Sequence, residues 1–334
     1  MKKLINNPVN VVEEMIDGYL KAYPNHVRRL EGNERSLVTA RDLPEGKVGI
    51  VIGGGSGHEP AFMGYVGNGM ADGVAVGNIF ASPPPDPILE ATKAVHKGAG
   101  VVYILGNYAG DIMNFGMAAE LADIEEGIRV ESIVVTDDVA SAPKYEKEKR
   151  RGIAGEFFVT KVAGAAAVKG YSLEDVVRVA TKTNENTRTM GVGLTPCSLP
   201  QTGKPSFELE ENEMEIGLGH HGEPGVEKGV IKPADEVAER LVHDILEDMP
   251  IEKGEKVAVL VNGLGSTTQM ELYIMFRRVE QILSEKGIGI YRSYVGNYST
   301  SLEMGGCSVT LTKVDDELVH LIDFPADCPM YVQI

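Results

Sequence analysis

The chain has 334 residues, a hydrophobic content of 43% and a formal net charge of -17, so it is long enough for two cores and too acidic for nucleic acid to be its main partner. It has no Trp and only 6% aromatic residues, which leaves few platforms for stacked bases, and its three cysteines, Cys197, Cys307 and Cys328, are odd in number and lack C-x-x-C spacing, which predicts reduced thiols in a cytoplasmic protein. No long apolar run follows the opening Met-Lys-Lys-Leu-Ile-Asn-Asn-Pro, and nowhere do about 18 apolar residues run together, so neither a secretory signal nor a membrane span is expected.

Asn7-Pro8 reads as an N-cap followed by proline at the first helical position, and Val12, Met15, Ile16, Tyr19, Leu20 and Tyr23 keep a helical stripe that Pro24 stops. Lys47 to Ile52 is mostly apolar and predicts a short strand buried on both faces. It runs into Gly53-Gly54-Gly55-Ser56-Gly57-His58-Glu59-Pro60, which reads as a glycine loop followed by a helix opened by Pro60 and ending near Asn68-Gly69. The run fails as a P-loop, since no Lys-Ser or Lys-Thr follows, as a dinucleotide fingerprint, and as a nucleophile elbow. Two readings stay open for it: a backbone cradle delivering the His58 imidazole to a small polar molecule, or a tight turn with a surface histidine.

Val74 to Gly77 predicts a strand leading into Phe80-Ala81-Ser82 and three prolines, with Asp86 capping a helix from Pro87 to about Lys97. Val101 to Leu105 is a buried strand ending in Gly106-Asn107-Tyr108-Ala109-Gly110-Asp111, a helix follows to about Ile124, and Ile128 to Thr136 is the next strand. Strands alternating with helices predict an α/β fold with a mainly parallel sheet flanked by helices, in which ligands bind beyond the carboxyl ends of the strands. Lys144 to Arg151 is a charge run, either a solvated connection or a basic face for an acidic partner or phosphate.

Helices are predicted from about Glu156 to Lys169 and from Ser172 to about Asn184, and near Met190 the texture changes to short strand-like pieces at 190–194, 206–209 and 214–218. A boundary there gives residues 1–189 as one α/β domain and 190–334 as a second, smaller one with a mixed sheet. The second continues with a helix from about Ala234 to Leu246, a strand from Val257 to Val261, the glycine segment Asn262 to Thr268, a long helix, and strands at 288–294 and 307–311. Within it, Gly219-His220-His221-Gly222-Glu223-Pro224-Gly225 places a histidine pair between glycines. Adjacent histidines on an extended chain face opposite ways, so at most one points into a site. A metal would need a spaced histidine pair and a third ligand, for which Glu223 alone is near, so no metal is expected.

Together these segments resemble the dihydroxyacetone-binding (K) subunit and domain of the dihydroxyacetone kinases. The resemblance spans the whole chain and rests on residues 53–60, Phe80-Ala81-Ser82-Pro83, residues 107–111, Arg151-Gly152-Ile153-Ala154-Gly155, residues 163–167, residues 221–225, Asn262-Gly263-Leu264-Gly265 and Thr300-Ser301-Leu302-Glu303-Met304. It implies that a ring nitrogen of His221 adds to the substrate carbonyl as a covalent hemiaminal. It implies that His58 and Asp111 bind the terminal hydroxyl and assist its deprotonation, and that Gly53, with Gly54 and Gly55, and Ser82 line the substrate pocket. It further implies two α/β domains and a homodimer.

Some members carry lysine directly before the Asn-Tyr pair where this chain has Gly106, which implies a less cationic, roomier pocket and admits a four-carbon ketose such as erythrulose. The chain has no Walker motif, no kinase catalytic loop and no aspartate cluster for magnesium. The resemblance therefore implies that ADP/ATP and Mg belong to a separate L subunit, recharged from phosphoenolpyruvate by a phosphotransferase-system M subunit. The rival expectation is a dihydroxyacetone-sensing co-activator. Retention of His58, Asp111 and His221 together favours the kinase subunit.

Overall fold

The computed structural model describes residues 2–334. Their contacts divide the chain into two compact units. The first comprises the segments ending at Val135, Glu156–Thr183 and His320–Ile334; the second comprises Thr136–Gly155 and Asn184–Val319. A single cut after residue 189 therefore does not follow the units. The reason lies in long-range hydrogen bonds: the Asp137 carboxylate accepts from the amides of Ile153 and Gly155 at 2.8 Å each, while its carbonyl accepts from Thr189.

In the first unit the chain runs α1 (Val11–Ala22), β1 (Val27–Leu30), β2 (Asn33–Thr39), β3 (Gly49–Ser56), β4 (Gly73–Ile79), α2 (Pro85–Val95), β5 (Val101–Gly106), α3 (Ala109–Glu126) and β6 (Val130–Val135), then α4 (Glu156–Val168) and α5 (Leu173–Glu185), the last two residues of which fall in the second unit. The sheet order is β1-β2-β4-β3-β5-β6. β4, β3, β5 and β6 are mutually parallel; β1 and β2 join antiparallel at one edge. Val51, Ile52, Val102, Tyr103 and Ile104 are all buried, as strands covered on both faces require. Lys161 in α4 is fully buried, and its ammonium donates to the carbonyls of Leu321 and Phe324 at 3.0 and 2.7 Å. Those acceptors lie in the closing segment, a short helix Asp316–Ile322 followed by the ribbon Ala326–Cys328 and Tyr331–Gln333.

Several local expectations change. Gly53, Gly54 and Gly55 belong to β3, not to a loop, and Gly57 is the member of the run with positive φ, at 101°. Pro60 opens no α-helix: turns and a single 3₁₀ turn, Met63–Tyr65, follow it, because Met63, Gly64 and Tyr65 are drawn into the core. α1 starts at Val11; Asn7 instead makes a turn, its side chain accepting from the amide of Val9. Asp86 lies in the first turn of α2, and Pro84 occupies the cap position.

The second unit contains β7 (Thr187–Thr195), β8 (Glu213–Ile216), β9 (Glu227–Val230), α6 (Ala234–Asp248), β10 (Lys256–Gly263), α7 (Gln269–Glu285), β11 (Gly289–Gly296) and β12 (Gly305–Val314), with sheet order β11-β10-β12-β7-β8-β9. β10 and β11 are parallel and the other pairs antiparallel, so the sheet is mixed. Leu241, Ile245, Val279 and Leu283 from the helices pack onto Val259, Val309 and Leu311. Residues 206–209 form no strand; Phe207 lies instead against Gly222, where an added Cβ would come within 2.9 Å of its ring. Thr268 and Glu271 close a reciprocal capping box at the start of α7. Asp248 accepts from Arg150 at 2.6 and 2.8 Å and from Arg188 at 2.6 Å, with all three side chains buried.

Candidate active site

The chain order around β3 defines the first half of the site. From β3 the chain goes to β4 on one side, then returns to β5 on the other, so the β3/β5 boundary is the point where the winding of the parallel sheet reverses. Crevices at such boundaries, beyond the carboxyl ends of the strands, are where open α/β sheets bind ligands. His58 lies just past the end of β3, Ser82 past β4, and Asp111 past β5 in the first turn of α3.

His58 is 5% exposed, so it is not a surface histidine. Its ring stacks on Phe80 at a centroid distance of 5.0 Å and an interplanar angle of 22°, and it meets Phe62 edge-on at 6.4 Å. Phe80 holds a φ of 54°, an uncommon conformation for a bulky residue. The Glu59 carboxylate accepts from the Gly57 amide at 3.0 and 3.1 Å, and burial pushes its pKa up. The preceding glycines serve close approach. A Cβ on Gly53 would lie 2.5 Å from the carbonyl oxygen of Ala75, one on Gly54 2.5 Å from the Phe62 ring, and one on Gly55 2.6 Å from the Ala81 amide nitrogen.

Asp111 is 8% exposed and sits in the first turn of α3, where the helix amides point. A Cβ on Gly110 would come 3.2 Å from the Ser82 Cβ, so Ser82 borders this helix start. The space beside Gly106 is occupied: a Cβ there would meet the Tyr108 ring at 3.1 Å and Glu156 Oε1 at 3.2 Å.

His220 and His221 belong to the second unit. They occupy a turn closed by the Gly222 amide on the Gly219 carbonyl at 3.0 Å, with Gly222 at a φ of 85°. The two rings have different surroundings, as adjacent side chains on an irregular turn allow. His220 is buried, and burial, with some help from His221, lowers its pKa to about 3. His221 is a quarter exposed. Its Nδ1 lies 3.0 Å from Glu223 Oε1, and its backbone amide donates to Glu223 Oε2 at 2.9 Å. Burial acts to raise the Glu223 pKa, but the hydrogen bond and charge of His221, the Glu223 backbone amide and Arg151 outweigh it and bring it to about 2. Arg151 stands 3.8 Å from Glu223 and donates to Asp138 at 2.8 Å.

The other glycine segment supports this turn. Asn262 is fully buried; its Oδ1 accepts from the amides of Tyr298 and Ser299 at 2.9 Å each, and its Nδ2 donates to the Ser299 carbonyl at 2.7 Å. That fixes the loop whose Ser301 hydroxyl donates to the His220 carbonyl at 2.5 Å. Glu223, Arg151, Phe80 and Asn262 carry no catalytic or binding role in the sequence reading, although each stands in a segment on which the family resemblance rests. Among the described residues no cluster of three or more His, Cys, Asp or Glu side chains is arranged to hold a metal, and no helix is long and apolar enough to cross a membrane.

Residues 17–330 match the Dak1 domain, and relatives follow the chain along nearly its whole length. The chain belongs to the Dak1 domain family. It is 49% identical over 331 residues to the dihydroxyacetone-binding subunit DhaK of PTS-dependent dihydroxyacetone kinase 2 from Listeria innocua, covering 99% of each chain. It is 45% identical to the D-erythrulose kinase of Mycolicibacterium smegmatis, covering 99% of this chain and 56% of that one. A solved Dak1-like structure, the dihydroxyacetone kinase operon co-activator, superposes with a TM-score of 0.89 at 36% identity, covering 96% of this chain and 98% of that one. Dak1 relatives thus include a kinase subunit, a longer ketose kinase and a co-activator, and the choice between them for this Dak1 chain rests on the chemistry of its own residues.

Proposed function

We propose that this chain is the substrate-binding subunit of a multi-subunit dihydroxyacetone kinase. The observation that carries the reading is the pair His58 and Asp111, which follow two adjoining parallel strands at the winding reversal of the first unit's sheet. Phosphoryl transfer to an alcohol needs a group to orient the hydroxyl and take its proton; a sensor of the same ketone does not. His221 binds dihydroxyacetone by adding a ring nitrogen to its carbonyl. For a ligand of six heavy atoms, whose non-covalent binding energy is limited to about 1.5 kcal/mol per atom at best, a reversible covalent bond supplies selectivity over glycerol, which has no carbonyl. Asp111 then accepts the proton of the terminal hydroxyl as its oxygen attacks phosphorus, and His58 shares the hydroxyl's hydrogen bonds. The Gly53–Gly55 backbone and Ser82 line the pocket.

The phosphoryl donor belongs to a partner L subunit bearing ADP/ATP and Mg, recharged by a phosphoenolpyruvate-dependent M subunit; the product is dihydroxyacetone phosphate. The chain works in the cytoplasm as a homodimer within glycerol metabolism. The relationship to DhaK subunits at full length supports this arrangement. The test is turnover with a purified L subunit and phosphoryl donor on dihydroxyacetone and on erythrulose, together with His221→Ala and Asp111→Asn. The reading expects turnover of dihydroxyacetone, no capture by His221→Ala, and capture with at least about 10²-fold slower turnover by Asp111→Asn. Capture without turnover, beside an L subunit active with another K subunit, would make the chain a sensor.

A further inference from the structure

We infer that Glu223 is a positioning residue that selects which nitrogen of His221 attacks. This rests on the covalent role proposed for His221. The carboxylate contacts the histidine twice, through the backbone amide at 2.9 Å and through Nδ1 at 3.0 Å, so backbone and ring are fixed by one group. A carboxylate only accepts, so the Nδ1 facing it carries the proton and Nε2 carries the lone pair. The carboxylate is itself held. The Gly219 amide donates to the Glu223 carbonyl at 3.0 Å, Arg151 stands 3.8 Å from Oε2, and a Cβ on Gly219 would fall 2.3 Å from Oε2 and 2.4 Å from Arg151 Nη1. Gly219 is therefore glycine so that Glu223 and Arg151 can lie across it. His220, next in the chain, is buried whereas His221 is a quarter exposed, which assigns nucleophilicity to the accessible member of the pair.

In the addition, the Nε2 lone pair forms a bond to the ketone carbon and the carbonyl π bond breaks. The electron pair goes to oxygen, which takes a proton from water. The ring becomes cationic beside the Glu223 carboxylate, and its Nδ1 proton leaves through that carboxylate to water. One proton is taken up and one released, so the adduct is neutral. Glu223 thus acts before the bond forms, by fixing the tautomer, and after it, by stabilising and discharging the ring.

The experiment uses the full chain and two readouts: the ¹⁵N shifts of His221 without ligand, and the rate at which [2-¹³C]dihydroxyacetone loses its carbonyl signal to an sp³ signal. Wild type should show the Nδ1–H tautomer. Glu223→Ala should show a tautomer mixture and capture about 10²-fold slower, and Glu223→Gln, which keeps the shape without the charge, capture about 10-fold slower. An unchanged tautomer and rate in Glu223→Ala would overturn the assignment, as would an unchanged rate in Glu223→Gln if the alanine variant does not fold. Wild type with the Nδ1–H tautomer but no capture of ketone would overturn the covalent role of His221 and leave the tautomer assignment standing.

Discussion

Protonation of His220 should weaken the second unit in mild acid. Burial holds this imidazole at a pKa of about 3, whereas in the unfolded chain it returns to 6.5. Above pH 6.5 both states are neutral and the group is silent. Below it the unfolded chain binds a proton that the folded chain refuses, so stability falls by about 1.4 kcal/mol per pH unit until the folded pKa is reached. Between pH 6.5 and 5 the loss is about 2 kcal/mol. Asp138 runs the other way: burial raises it to about 6 from 3.8, so its protonation on acidification favours the folded state. Burial raises Asp137 as well, so the raw pH curve mixes opposed groups, and the diagnostic quantity is the difference between wild type and His220→Gln. Hydrogen exchange of the β10 and β12 amides in urea reports the opening of the second unit. Wild type should lose about 2 kcal/mol more than the variant between pH 6.5 and 5. Parallel losses, within about 0.5 kcal/mol, would refute the burial argument.

Three further substitutions test other parts of the scaffold. Asp248→Asn leaves the buried guanidinium groups of Arg150 and Arg188 without their counter-charge and should destabilise the second unit by about 3 kcal/mol in urea; an unchanged midpoint would mean that water replaces the carboxylate. Gly53→Ala forces a Cβ to 2.5 Å from the Ala75 carbonyl oxygen, a backbone atom that cannot rotate away, so about 1–3 kcal/mol of stability and most turnover should be lost; normal turnover would show that β3 and β4 part easily. Thr268→Ala removes a capping box and should lower stability by about 1 kcal/mol, with Thr268→Ser recovering most of it in thermal melts.

What could be read from sequence follows from burial. β3, β5, β10 and β12 are covered on both faces and announce themselves as apolar runs. β1, β2 and β9 escaped notice because Arg28, Arg29, Glu34, Arg35, Glu227 and Lys228 give them a polar surface at or near the sheet edges. His58, Ser82 and Asp111 were legible because each follows a strand whose end could be placed. The glycines of β3 read as a loop from sequence; their purpose, room for Ala75, Phe62 and Ala81, depends on neighbours outside the run itself. Glu223 stands out in the sequence only as a possible metal ligand, since its contact with His221 is made by the turn itself. The support of that turn by Asn262 and Ser301 spans 37 and 81 residues, beyond any local pattern.

The connectivity has a bearing on how the protein is made. The chain passes from one unit to the other after Val135, Gly155, Thr183 and Val319, so the ribosome finishes neither in a single stretch. When residues 1–319 have been synthesised, α4 already carries Lys161, but the Leu321 and Phe324 carbonyls that receive its ammonium do not yet exist. An ammonium lacking these two carbonyls is costlier to bury, so α4 of the nascent first unit settles fully only once residues 320–334 have been made. Protease should cut an arrested chain ending at Val319 within α4 more readily than one that extends through residue 334, and the segment 320–334 then serves as a latch on biogenesis.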